Sequence, residues 1–178
     1  MFLNILIGVA VVLVIFVVIV ALQPADFRVE RSTTVGAPPE AVFAEVNDLH
    51  KWQAWSPWAK LDPEAKLTYE GPEQGTGAAY TWASKDNKVG EGRMSIIESK
   101  PNELIRFKLE FKKPFEATNT AEFTFKADGA QTKVNWSMFG TRSFMFKAVG
   151  LFMSCDKMIG PDFEKGLRDL KALVESGR

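Results

Sequence analysis

The stretch LIRFKLEFK, residues 104–112, alternates apolar and charged side chains from Ile105 onward. The apolar side chains occupy every second position, at Ile105, Phe107, Leu109 and Phe111. Because successive side chains of a strand point to opposite faces, this period of two predicts a strand with one buried and one solvated face. Such strands are typical of an antiparallel sheet whose apolar face is covered by a second layer.

The neighbouring segments extend this pattern into a sheet. Glu116–Lys126 alternates again, Asp128-Gly129 is a strong hairpin-turn signal, and the next strand places Thr132, Val134, Trp136 and Met138 on one face. Further strands are predicted at Phe27–Val35, Lys66–Gly71 and Val89–Ser99. We therefore expect a curved antiparallel sheet of about six or seven strands, joined largely by hairpins.

The C-terminal part carries the period of a helix instead. Apolar side chains recur at helical spacing, at Ile159, Phe163, Leu167, Leu170 and Val174. Gly160-Pro161 interrupts the pattern, which predicts that a helix starting near Phe144 kinks or restarts there. One long amphipathic helix and a sheet with one apolar face predict an α+β fold in which the sheet wraps around the helix.

The N-terminal segment differs from the rest, because no charged side chain precedes Asp26. A helix over residues 2–22 would span roughly 30 Å, the thickness of a bilayer core. A cleaved signal peptide would have a basic start and a shorter apolar run, and a core helix would be amphipathic. We therefore expect a single-pass membrane anchor at 2–22, a linker at 23–26 and a domain at 27–178.

The side of the membrane is weakly determined by charge. Arg28 and Arg31 follow the anchor and no basic side chain precedes it, which favours a cytoplasmic domain. Asp26 and Glu30 lie among those arginines, so both orientations stay open.

Composition and motifs exclude several classes of function. Lys and Arg total 22 and Asp and Glu total 22, so nothing attracts the chain as a whole to nucleic acid. The single cysteine, Cys155, excludes an internal disulfide framework, and it lies far along the chain from the only histidine, His50. We find no metal-ligand spacing and no phosphate-binding loop, and we expect no metal, no cofactor and no nucleic-acid partner.

Five phrases carry a family resemblance: APPEAVF at 37–43, WQAWSPW at 52–58, GTGA at 75–78, KVNW at 133–136 and IGPDFEKGL at 159–167. With the order of elements, they make about Phe27–Glu175 resemble the polyketide cyclase/dehydrase and lipid-transport group of the START-like, helix-grip superfamily (SRPBCC). The resemblance implies a hydrophobic cavity between the sheet and the long C-terminal helix. It does not include the predicted anchor.

Candidate ligand-binding residues follow from this implied cavity. The aromatic ones either contact an apolar ligand or pack in the core; they are Trp52, Trp55, Trp58, Tyr80, Trp82, Phe107 and Trp136. Gly90 and Gly92 either leave room for a ligand or mark a bulge or tight curvature. The flexible side chains of Met94, Met138 and Met153 either line the cavity or pack in the core. Asn119 shares the inward row of its strand and needs a hydrogen-bond partner, which is either protein, water or ligand.

These observations favour a membrane-tethered binding protein for a small hydrophobic molecule such as a lipid, an isoprenoid or an aromatic metabolite. Two alternatives stay open. One is a polyketide cyclase or dehydratase, although no catalytic constellation is visible. The other is a non-catalytic sensor or partner-binding module, for which the sequence names no protein partner.

Overall fold

A computed structural model describes residues 2–86 and 88–177. Its centre is one curved antiparallel sheet of seven strands in the order β1-β7-β6-β5-β4-β3-β2. The strands are β1 (Asp26–Val35), β2 (Lys66–Glu70), β3 (Ala79–Ala83), β4 (Glu91–Lys100), β5 (Leu104–Lys113), β6 (Ala117–Asp128) and β7 (Gln131–Thr141). The α+β helix-grip prediction and the expected number of strands are confirmed.

Five helices complete the described part of the chain: α1 (Phe2–Leu22), α2 (Pro39–Asn47), α3 (Trp52–Trp55), α4 (Phe144–Gly150) and α5 (Cys155–Ser176). Helix α5 packs along β1 and also contacts α2 and α3, so it covers the apolar face of the sheet. The alternation that predicted β5 and β6 is reproduced by burial, since Ile105, Phe107 and Phe123 are fully enclosed.

The centre of the core is a stack of aromatic rings between sheet and helix. Trp136 of β7 and Phe163 of α5 lie face to face, with ring centroids 4.0 Å apart and planes 6° apart. Phe123 of β6 stacks on Trp136 at 4.8 Å. Gly166 lies one helical turn beyond Phe163 and faces the same indole, because a Cβ built there would be 2.7 Å from Trp136 Cζ3. The backbone of α5 therefore packs directly on the Trp136 ring at Gly166, with no side chain between them.

Polar contacts fix the same helix to β1. The Arg31 guanidinium donates to Asp156 and to Glu164, each at 2.7 Å. The Lys171 Nζ donates to the Thr34 carbonyl at 2.6 Å. The hydrogen bond from Arg31 holds the pKa of Asp156 below its usual range. Ionised Asp156 thus favours the folded state above its ordinary pKa, and that contribution is lost as pH falls through the lowered value.

The helix restarts at a different place from the one that the sequence predicted. The break lies at residues 151–154, where the Ser154 hydroxyl caps the first turn of α5 by accepting from the Lys157 N–H. Helix α5 then continues through Pro161. Gly160 leaves space for Arg31 instead of ending the helix, because a Cβ there would lie 2.1 Å from the Arg31 Nη2.

Helix α1 stands apart from the core. Val20 is its only buried residue, and the other side chains from Phe2 to Leu22 are exposed. Within the part of the chain that the structure describes, it is the one helix long and apolar enough to cross a membrane. Its last turn lies next to α4.

We predict that Gly166→Ala lowers the free energy of unfolding by about 1–2 kcal/mol. Alanine favours a helix by about 1 kcal/mol over glycine, but forcing a methyl group into a packed interface costs about 1–3 kcal/mol. Here the added methyl group would meet the Trp136 ring, which is fixed by rings on both faces. Denaturation of the full-length protein in detergent micelles, followed by tryptophan fluorescence, measures the change.

Gly177→Ala at the end of the same helix is the matched control. Its backbone φ of −82° suits alanine, and its new Cβ would lie 3.7 Å from the nearest atom. We expect a change of less than about 1 kcal/mol, in the stabilising direction. Equal losses in both variants would contradict the close approach of α5 to Trp136.

Candidate ligand cavity

A cavity of about 330 Å³ lies between the sheet, helix α5 and the segment that runs from α3 to β2. Apolar side chains form most of its wall, from Trp52, Trp58, Leu67, Trp82, Met94, Leu109, Phe111, Met138, Ile159 and Phe163. The sheet and α5 cannot fill this space because the helix meets the sheet at the Trp136–Phe163 stack. The cavity lies beside that contact and is lined by both of its rings.

The tryptophans of α3 are fixed by their polar edges. The Trp52 indole N–H donates to the Val46 carbonyl at 2.9 Å, and the Trp55 indole N–H donates to the Glu45 carbonyl at 3.3 Å. Both bonds join α3 to α2, so the WQAW turn is held with Trp52 at the cavity wall. Trp58 meets Trp136 edge to face at 5.8 Å. This geometry makes the wall preorganised, because the rings cannot turn away without breaking these contacts.

Trp136 differs from these tryptophans in the state of its indole N–H. The Nε1 atom is enclosed, and no acceptor within the described residues takes its hydrogen. A buried donor without a partner costs about 1–3 kcal/mol. Other atoms of Trp136 line the cavity while Nε1 itself is enclosed, so an acceptor on a bound molecule removes that cost only where binding opens a path to this edge of the ring.

Two ionisable groups on the wall are shifted toward their neutral forms. Burial raises the pKa of the Tyr80 hydroxyl far above its ordinary value of 10.0. Burial also raises the pKa of Asp162, which lies on α5 next to Phe163. Asp62 is the second carboxylate on the wall, and it accepts a hydrogen bond from the Ser84 hydroxyl at 2.5 Å. The cavity thus offers few polar groups, and the burial that raises the pKa of Tyr80 and the pKa of Asp162 also favours an apolar guest.

The structure brings seven of the predicted site residues together on the wall: Trp52, Trp58, Tyr80, Trp82, Met94, Trp136 and Met138. Trp55 and Phe107 are fully enclosed in the core and do not line it. Met153 is 49% exposed and lies within the break between α4 and α5. Asn119 is half-buried and lies over Gly140 of β7, where its Oδ1 occupies the place that a Cβ on that glycine would need.

The two glycines do not leave room for a ligand. At Gly92 the space is filled by Trp82, because a Cβ there would be 2.4 Å from the Trp82 ring. Gly90 has a φ of +65° and turns the chain into β4 directly beside the Lys113 carbonyl. Both positions instead fit the alternative of a bulge or tight curvature in a bent sheet, and the pairing of β4 with β5 shifts register between Glu91 and Gly92.

Sequence patterns missed the part of the wall that comes from irregular segments. Pro63 and Ala65 precede β2, and Lys88 and Val89 precede β4. Nothing in their local sequence distinguishes them from ordinary loop residues. Asp162 could have been noticed as a carboxylate next to the inward-facing Phe163, although helical spacing alone does not place it at the wall.

The only histidine and the only cysteine of the sequence, His50 and Cys155, do not line this cavity. The His50 Nδ1 is 3.2 Å from Asp48, and its ring stacks on Tyr69 at 3.9 Å, in a separate small cleft. Cys155 is half-buried at the start of α5. Within residues 2–86 and 88–177, no cluster of histidine, cysteine and acidic side chains is arranged to hold a metal ion.

Comparison of the sequence with known proteins gives two findings. A family model described as polyketide cyclase / dehydrase and lipid transport matches residues 26–175. The chain is also similar to the granaticin polyketide synthase bifunctional cyclase/dehydratase of Streptomyces violaceoruber, at 26% identity over 109 residues, which are 60% of this chain and 32% of that protein. The match therefore spans about a third of that relative.

Solved structures share the fold. A protein of Mesorhizobium loti has 16% identity and a TM-score of 0.59, over 85% of this chain and 99% of its own. The Zhui aromatase/cyclase of a Streptomyces species has 15% identity and a TM-score of 0.59, over 84% and 94%. A Staphylococcus aureus protein of unknown function has 12% identity and a TM-score of 0.63, over 88% and 98%.

We predict that Tyr80 stays protonated in the folded protein at pH values that ionise an ordinary tyrosine. The chain has two tyrosines, Tyr69 and Tyr80, so a Tyr69→Phe variant isolates the second. Above pH 10 the unfolded state loses a proton that the folded state keeps, so stability falls as pH rises. Absorbance of phenolate near 295 nm, recorded with circular dichroism, should increase only when the fold is lost. Phenolate formation near pH 10 in the folded variant would show that Tyr80 is not buried.

Proposed function

We propose that this chain, which belongs to the polyketide cyclase/dehydrase and lipid transport family, binds a small hydrophobic molecule in the cavity beside Trp136. In the same proposal, α1 anchors the domain to a membrane. The observation that carries the proposal is a preorganised cavity of about 330 Å³ whose wall is mostly aromatic and aliphatic. Ligand sites of proteins have this character, with a few polar groups among apolar ones.

The size of the cavity limits the ligand. Ligand pockets commonly measure about 300–1,000 Å³, so this one is at the small end of the range. A compact aromatic or isoprenoid-like molecule fits that volume better than a complete phospholipid with two long chains. The flat faces of Trp52, Trp58 and Trp82 favour a ligand with a ring, because rings gain from edge-to-face and offset contacts.

The polar groups of the wall indicate one feature of the ligand. Trp136 supplies an indole N–H that needs an acceptor, and the neutral Tyr80 supplies a phenol. A mostly apolar molecule with one carbonyl or ether oxygen would pair with the indole. A pure hydrocarbon would leave that N–H unpaired and bind less well.

The anchor places this cavity where apolar molecules are concentrated. Helix α1 has 21 residues without a charged side chain, enough to cross the apolar layer of a bilayer. The segment from Gln23 to Ala25 separates α1 from β1, so the domain stays close to the membrane surface. We propose that the domain exchanges its ligand with that membrane.

We predict that Leu109→Trp blocks the cavity. Leu109 lies on the wall and is partly buried, so a larger ring there takes up space that a ligand would use. Full-length protein purified in detergent and incubated with a membrane lipid extract should carry a bound small molecule in native mass spectrometry. We expect the affinity, taken from that occupancy at subsaturating extract, to fall at least about tenfold in Leu109→Trp, the equivalent of about 1.4 kcal/mol.

Leu61→Trp is the matched control for this experiment. Leu61 is 51% exposed in the α3–β2 segment and is absent from the cavity wall, so the variant should keep its ligand. Unliganded wild-type protein after every incubation would contradict the binding proposal. If the protein instead releases a molecule that has lost the mass of one water, the binding proposal is replaced by a dehydratase function. That activity is named for the Streptomyces violaceoruber relative.

We further predict that Trp136→Phe changes selectivity between ligands. The variant keeps an aromatic ring on Phe163 but removes the unpaired N–H. Its affinity for an aromatic ketone should fall about three- to tenfold, since a neutral hydrogen bond contributes about 0.5–1.5 kcal/mol. The affinity ratio between the ketone and the matching hydrocarbon, measured by displacement of a fluorescent probe, isolates this effect from changes in packing. An unchanged ratio would show that the indole does not bind the ligand.

A further inference from the structure

Most of the large apolar side chains exposed outside α1 lie at one end of the domain. They belong to α4, to the residues that follow it and to the β5–β6 turn. We call them the end patch: Phe115, Phe144, Met145, Val149, Phe152 and Met153. Phe152 is the most exposed, at 85%. The patch is continuous between its two parts, because the Phe115 ring meets Phe146 of α4 edge to face at 5.7 Å. Clustered exposed apolar side chains of this kind mark an interaction surface.

The end patch lies beside the point where α1 joins the domain. Asp26 at the start of β1 pairs with Thr141 at the end of β7, directly before α4. The Arg142 backbone N–H donates to the Ala25 carbonyl at 2.7 Å, and its guanidinium donates to the Pro24 carbonyl at 2.5 Å. The linker is thus bonded to the residues that lead into α4, and the patch is held at the level of the last turn of α1.

Charges around the end patch suit an anionic membrane surface. Within four residues of the end patch lie five basic side chains and two acidic ones: Lys112, Lys113, Arg142, Lys147 and Lys157 against Glu116 and Asp156. The Lys147 Nζ lies 3.4 Å from the Ala21 carbonyl, at the end of α1. Asp156 is the acidic neighbour in α5, and it is paired with Arg31 of β1. An apolar surface with a basic margin is typical of segments that lie in the headgroup region of a bilayer.

The cavity reaches this same end of the domain. Lys88 and Val89 of its wall precede β4, whose first residue, Glu91, pairs with Lys113 just before the β5–β6 turn. On α5 the wall residue Ile159 follows Met158, which is 44% exposed. A membrane in contact with the end patch would therefore lie next to this part of the cavity wall.

We infer that the end patch is a second lipid contact, which docks on the membrane that α1 crosses and turns the cavity toward the headgroup region. The inference rests on the anchoring part of the proposed function. It adds an orientation: the domain lies with α4 against the bilayer instead of standing free on its linker. A ligand could then pass between lipid and cavity without crossing open water.

Site-directed spin labelling of the full chain tests this orientation. A Cys155→Ser background removes the native thiol, and single labels are placed by Phe152→Cys in the end patch, Val12→Cys in α1 and Asp128→Cys at the opposite end of the sheet. The protein is reconstituted into vesicles of phosphatidylcholine with a quarter of phosphatidylglycerol. Power saturation then compares access of oxygen, which concentrates in lipid, with access of a water-soluble nickel chelate.

We expect the labels at positions 12 and 152 to favour oxygen and the label at 128 to favour the nickel chelate. Nickel access at 152 equal to that at 128, with 12 in lipid, would overturn the inference while leaving the anchor intact. A label at 152 shielded from both reagents would also overturn it, because a second copy or another protein would then cover the patch. A label at 12 that favours nickel would overturn the anchor and the orientation together.

Discussion

The contact between Trp136 and Phe163 determines how the rest of the domain is arranged. It joins β7 to α5 through two nearly parallel rings at 4.0 Å, and Gly166 lets the helix backbone approach the same indole. Phe123 completes the stack from the sheet side. Because the helix is fixed at this point, the space beside it is left to α3 and the segment before β2, and these do not fill it. The cavity is therefore a consequence of where the helix touches the sheet.

Two kinds of interaction support this contact. Apolar packing holds the rings, while Arg31 and Lys171 connect β1 to α5 on the outer side. Exposed ion pairs contribute little to stability, commonly about 0–1 kcal/mol each. These contacts instead fix the position of α5 along β1. The Arg31 guanidinium packs against Gly160, where a larger residue would not fit. The same helix carries Asp162 and Phe163 to the cavity wall, so its register also determines the chemistry of the site.

The sheet and the long helix were predictable from sequence because apolar side chains recur at a regular spacing within each strand and within the helix. Alternation identified β5 and β6, and spacing placed Phe163 on the inner face of α5. The cavity wall was predictable only for side chains on such periodic elements, such as Met94, Trp136 and Met138. Gly92 shows why the other parts of the site were not predictable. The Trp82 ring of the neighbouring strand occupies the space that a Cβ on Gly92 would need, and no local sequence pattern records a contact between two strands. The break before α5 likewise lies at the Ser154 cap and not at Gly160-Pro161.

The central claim is that the space beside Trp136 receives a ligand whose acceptor pairs with the indole N–H. Nitrogen-15 NMR of the five tryptophan indoles tests it directly, in full-length protein in micelles, with the Trp136 signal assigned by its loss in Trp136→Phe. Titration with an aromatic ketone should shift the Trp136 indole proton strongly downfield. The Trp55 indole, which is bonded to Glu45 away from the wall, should stay in place. A Trp136 signal that does not move while the ketone binds would contradict the account.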